Sequence, residues 1–132
     1  MPLSYEVSAT KNLLTVLAQG AVDLIAARQL VEQLGHESSF TAEQHILVDL
    51  SSASCSPTSA DVRKLVDLFG TRLTPNRNRI AVVVGSSFHF GMARMASMLA
   101  EGRNIQMHVF LDKADALAWI ERGEGPQDDL AA

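Results

Sequence analysis

From Asp49 to Ser59 the chain reads Asp-Leu-Ser-Ser-Ala-Ser-Cys-Ser-Pro-Thr-Ser, a run of hydroxyls around one thiol with a carboxylate at its head. Cys55, the single cysteine, with Ser54, Ser56 and the distant His89 would supply the parts of a thiolate–imidazole nucleophile. No cysteine-enzyme signature, Gly-x-Ser-x-Gly elbow or placed acid accompanies them, so the thiol is expected to be inert and no catalytic residue is assigned. A second polar group, Ser86, Ser87 and His89 followed by Arg94, could meet an anion beyond a strand end; its plainer reading is a satisfied polar loop. The histidines His36, His45, His89 and His108 form no His-x-His or His-x-x-x-His pair, so no metal site is expected. Gly85 opens neither a dinucleotide fingerprint nor a P-loop, and no cofactor is implied.

These residues are positioned by alternating apolar segments. Tyr5–Ala9 and Leu13–Gln19, separated by Thr10-Lys11-Asn12, predict an antiparallel hairpin. Leu24, Ala27, Val31 and Leu34 recur at helical spacing and predict a helix from Leu24 to about Glu37, with Asp23 as its cap. Ile46-Leu-Val-Asp-Leu50 is too short for a helix and reads as the end of a buried strand starting at His45, followed by a serine-rich turn over Ser51–Ser59. Thr58 with Asp61 forms a variant capping box for a helix reaching about Arg72, with Val62, Leu65, Val66 and Phe69 on its apolar face. Arg79–Val84 reads as a second buried strand. Phe88, Met92, Met95 and Leu99 mark a third helix, which Gly102 would stop. Ile105–Leu111 is the last strand, and Asp112 with Asp115 would cap a helix carrying Leu117, Trp119 and Ile120.

The order β-β-α-β-α-β-α-β-α describes a single α/β domain with a mixed, mostly parallel sheet over residues 1–122, and the Gly, Pro and acidic residues of 123–132 suggest a flexible tail. In such a sheet the loops leaving the carboxyl ends of inner strands border the functional crevice. Asp49, Ser51, Cys55, Ser86, Ser87, His89 and Arg94 are therefore the expected interaction edge, with Ser51–Ser59 and Ser86–Arg94 contiguous.

A chain of 132 residues fits one core. A net charge of −4 and a pI near 5.5 argue against nucleic acid as a partner. The one basic cluster, Arg72, Arg77 and Arg79, reads as a solvated loop, with an anionic partner as the alternative. No apolar run approaches the ~20 residues of a membrane span, the start lacks a secretory leader, and one cysteine allows no intrachain disulfide. These features predict a cytoplasmic protein.

The element order, with Ile46-Leu-Val-Asp-Leu50 leading into Thr58-Ser-Ala-Asp61, resembles the STAS domains, the sulfate-transporter and anti-sigma-factor-antagonist superfamily, over roughly Tyr5 to Arg122. Phe90-Gly-Met-Ala-Arg-Met95 and Val109-Phe-Leu-Asp-Lys-Ala-Asp-Ala-Leu-Ala-Trp119 resemble its SpoIIAA-like branch of small stand-alone bacterial proteins. In antagonists of this kind, a strand ending in Asp-Leu-Ser precedes a turn whose hydroxyl is phosphorylated by a partner kinase. Asp49-Leu50-Ser51 matches the strand end, and Thr58 falls at the phosphoacceptor place with Ser59 beside it. Pro57 stands where those proteins carry an acidic residue, and Ala60 where they carry glycine. A phosphate there would meet a helix N-terminus; the plainer role of Thr58 is an N-cap.

The resemblance implies a non-enzymatic regulatory or protein-interaction module, with a kinase or regulator as partner and self-association left open. The alternative is a small carrier or sensor of an apolar, lipid-like ligand held beneath the Phe88–Met98 helix, whose Met92, Met95 and Met98 could line an adaptable groove.

Overall fold

The computed structural model describes residues 3–8, 10–21, 24–36, 44–54, 59–68, 79–85, 87–101 and 106–122. Among them the elements are β1 (Leu3–Ser8), β2 (Leu13–Ala21), α1 (Leu24–Gly35), β3 (His45–Ser54), α2 (Ser59–Leu68), β4 (Arg79–Val83), α3 (Ser87–Glu101), β5 (Gln106–Phe110) and α4 (Lys113–Arg122). The expected order is therefore present. Asp23, Thr58, Gly102 and the tail beyond Arg122 lie outside the described residues.

The strands form one sheet in the order β1-β2-β3-β4-β5. β1 and β2 pair antiparallel around a turn in which Asn12 adopts φ 53°, a left-handed conformation that asparagine tolerates better than most side chains. The Ser8 hydroxyl accepts the Lys11 N–H at 3.3 Å and closes that turn. From β2 onward every neighbour is parallel, with Val16 opposite Val48, Val48 opposite Val82 and Val82 opposite Val109. Because each crossover moves one strand along the sheet with the same right-handed sense, α1, α2 and α3 fall on one face.

Strand alternation then builds two cores. Leu14, Val16, Ile46, Ile80, Val82 and Val109 point toward α1–α3, where Val31, Leu34 and Val66 are buried and Ala96 and Leu99 pack against them. Leu47, Ala81, Val83 and Phe110 point the other way, beneath Ala116, Trp119 and Ile120 of α4. Ile46 and Leu47 are 0% and 1% exposed, so β3 is covered on both sides, as its continuous apolar run requires.

Two expectations are corrected. Ser51–Ser54 belong to β3 and not to a turn: the strand runs on beside β2, with Gln19 opposite Ser52 and Ala21 opposite Ser54. In α4, Ala116 takes the buried position next to Trp119 and Ile120, while Leu117 is 36% exposed. Asp112 does act as the cap of that helix, its Oδ1 accepting the Ala114 N–H at 2.8 Å.

Candidate functional edge

At Asp49 the sheet divides. β3 keeps step with β4 only as far as the Asp49–Val83 pair, whereas its pairing with β2 continues to Ser54. Between Leu17 and Gln19 of β2 the partner numbering jumps from Asp49 to Ser52, so β3 carries an extra residue, a bulge, at this point. Bulges re-aim side chains and leave backbone groups without a ladder partner. Here Asp49 takes up that role, its Oδ1 accepting the Ser51 N–H at 3.0 Å and the Ser51 hydroxyl at 2.6 Å.

Asp49 is 8% exposed, and Ser51 above it is exposed. The second carboxylate oxygen of Asp49 lies 4.0 Å from Lys113 Nζ, the first residue of α4. Lys113 is about half exposed, so this ion pair is solvated and weak. Its structural meaning is that the start of α4 sits beside β3 at the point where the β3–β4 pairing ends. The Val84 N–H donates to the Phe110 carbonyl at 3.0 Å, carrying the β4–β5 pairing one residue past the strands to the same edge.

Gly85 closes the group. A side-chain carbon built on it would lie 2.8 Å from the Ser51 carbonyl oxygen, a separation real side chains do not reach, so this backbone approach requires glycine. The segment leaving β4 is thus pressed against β3 at Ser51, at the carboxyl end of the β3–β4 pairing. Ser51, Ser52, Gly85, Leu111, Asp112 and Lys113 are all exposed there, and Leu111 is a large apolar side chain 40% exposed.

The other expected residues are placed less completely. Ser59 is the first residue of α2, Ser87 the first of α3, and His89 lies in the first turn of α3. Thr58, Cys55 and Ser86 lie outside the described residues. Arg94 lies seven positions along α3 from Ser87, which is about 10 Å of helix, so its backbone is set back from the edge. It is half-buried, and its carbonyl accepts the Ser97 hydroxyl at 2.8 Å. On the same helix Met98 is 66% exposed, while Ala96 and Leu99 pack on the core. Among the described residues no three His, Cys, Asp or Glu side chains gather as metal ligands would.

The third loop of this edge, Leu111-Asp112-Lys113, was missed in the sequence as part of the site. Asp112 announced only a helix start, and nothing local ties Lys113 to Asp49. Arg79, from the basic cluster, has a structural task at the opposite end of the sheet: its Nη1 donates to the Ile120 carbonyl at 2.8 Å, capping α4.

The family model described as SpoIIAA-like matches residues 13–121. The chain belongs to the SpoIIAA-like family. An uncharacterized protein with a SpoIIAA-like fold from Shewanella loihica is similar in structure, with a TM-score of 0.59 and 23% sequence identity, over 89% of this chain and 91% of that one. At that identity the likeness speaks to the fold. No curated protein matches the chain. No helix among the described residues is long and apolar enough to cross a membrane.

Proposed function

We propose that this SpoIIAA-like chain is a regulatory module that works by binding another protein at the carboxyl edge of β3, β4 and β5. It does so without catalysing a reaction, and a hydroxyl at the start of α2 modulates docking when phosphorylated. The observation that carries the reading is the junction of Asp49, Ser51 and Gly85: a buried carboxylate fixes the Ser51 N–H and hydroxyl, a glycine lets the segment leaving β4 lie against the Ser51 backbone, and Ser51 and Ser52 stay exposed. A preorganised surface is what a docking site needs, since ordering a loose loop on binding costs affinity. Membership of the SpoIIAA-like family supports the regulatory part of the reading.

The acceptor in this reading is Thr58 or its neighbour Ser59, which opens α2. A phosphoryl group at a helix N-terminus is favoured by the unpaired amides there, while its added charge changes the surface a partner meets. The test compares Thr58→Glu with Thr58→Ser. The expected result is that Thr58→Glu weakens association with a partner from the protein's own host at unchanged melting temperature, whereas Thr58→Ser retains it. Equal recovery of the same partners by both variants, with no phosphate found on Thr58 or Ser59, would remove the switch from the account.

A further inference from the structure

At the end of the sheet away from the proposed edge, the imidazole of His45 is built into the backbone. Its Nδ1 accepts the Arg79 N–H at 2.9 Å, a bond between the first residues of β3 and β4. Since Nδ1 accepts, the neutral ring carries its proton on Nε2. The His45 N–H in turn donates to the Asn12 carbonyl at 3.0 Å, so the residue also joins β3 to the hairpin turn. Arg79 continues the chain of contacts, because its guanidinium caps Ile120 in the last turn of α4. Three connections separated by 33, 34 and 41 positions in sequence thus pass through two residues, the last two of them through the side chains of His45 and Arg79.

We propose that His45 is a proton-operated catch for the C-terminal turn of α4. A proton on Nδ1 replaces an acceptor with a donor aimed at the Arg79 N–H, and the bond is lost. The imidazolium also places a positive charge beside the Arg79 guanidinium, which is driven from its position on Ile120. Burial, and then the Arg79 charge, hold His45 below its usual pKa of 6.5, so the catch is closed near neutrality and opens on acidification. Leu13 of β2 stands opposite His45 in the ladder, the Asn12 carbonyl of the turn takes the His45 backbone N–H, and from β4 Arg79 meets the ring. Lys11 adjoins Asn12 in sequence, Glu121 and Arg122 follow Ile120, and all three are exposed. His108, on the α4 face of β5, is a second titratable ring, edge-on to Trp119 with centroids 4.7 Å apart. α4 is the only described helix on its face and buries Ala116, Trp119 and Ile120, so its release would uncover Leu47, Ala81 and Phe110.

The test is amide hydrogen exchange of the full-length, 15N-labelled chain from pH 7.5 to 4.5, read as protection factors, with the His45 ring titration followed in the same samples. Because folding weakens proton binding at the ring, opening becomes easier once the ring is protonated, by the same factor as that weakening. The expected result is that protection of the Arg79 amide and of the last turn of α4 falls as His45 titrates, while the Leu47 and Ala81 amides stay protected. In His45→Gln, whose carbonyl can accept the same N–H without titrating, the loss should vanish; in His108→Gln it should persist. The catch is refuted if protection falls equally across the core, if it tracks His108, or if His45 titrates in the wild type with the Arg79 amide unmoved. The last reading requires no variant to fold.

Discussion

Asp49 does two jobs at one position, and its substitutions should separate them. Asp49→Ala strands the Ser51 N–H and hydroxyl together, and losing a charged acceptor beneath a partly buried amide costs about 1–3 kcal/mol in denaturant unfolding. Ser51→Ala removes only the hydroxyl bond and should cost less than Asp49→Ala, whereas Lys113→Ala, at 4.0 Å and half exposed, should cost less than about 0.5 kcal/mol. If Lys113→Ala proved the costliest, the carboxylate would owe its place to the ion pair and not to the bulge. Gly85→Ala tests the neighbouring contact: the added carbon meets Ser51 backbone at 2.8 Å, so a loss of about 1–3 kcal/mol is expected, and a neutral result would show the segment leaving β4 free to move away from β3. His45 supplies the pH dependence. Its pKa is lowered in the folded chain, so the unfolded chain binds the proton first; its stability contribution is complete above 6.5, declines as pH falls from there through the folded value, and is flat below it. Melting curves of His45→Gln should lack that part of the acid slope.

At the scale of elements, much of the fold was legible because each strand and helix carried its own period. The Ile46–Leu50 and Arg79–Val84 runs became inner parallel strands, and Asp112 became a cap. What escaped was settled by neighbours. Ser51–Ser54 are turn-formers in composition, yet they extend β3 because β2 runs on to Ala21 and offers a ladder, with Gly20 at φ 69° adopting a conformation few other residues accept. Leu117 looked like core because it is large and apolar, but the small Ala116 is the residue that fits against the sheet. That Asp49 and Ser51 stand at the end of the apolar run of β3 could be read from the strand alone. The approach of Lys113 and the His45–Arg79 bond could not, since both join residues far apart in sequence. Arg79→Met, which keeps length and loses the donors, should lower stability by about 0.5–1.5 kcal/mol and loosen α4 without disturbing the Asp49 group; a change at the Ser51 amide in NMR would contradict that independence.

The whole molecule is a sheet whose two ends do different work. The amino end of the parallel strands is tied by His45 and Arg79 to the hairpin turn and to the end of α4, and the carboxyl end gathers Ser51, Gly85 and Lys113. Between them lie Ile46 and Leu47, buried on opposite faces; Ile46→Asp should unfold the chain, because an unpaired charge there costs several kcal/mol against a total stability of about 5–15 kcal/mol. Retention of a cooperative melt in Ile46→Asp would show that β3 is not the centre of the core. On the proposed function, partners dock at the carboxyl end. The most direct measurement places a photo-crosslinking amino acid, one position at a time, at Ser52, Leu111 and Lys113 and at Lys11, Gln106 and Arg122 of the opposite end, all of them exposed, in the protein's own host. One partner, identified by mass spectrometry, should be captured from the first three positions and not from the last three. Capture of that partner from Lys11, Gln106 or Arg122, with none from Ser52, Leu111 or Lys113, would contradict docking at the carboxyl end.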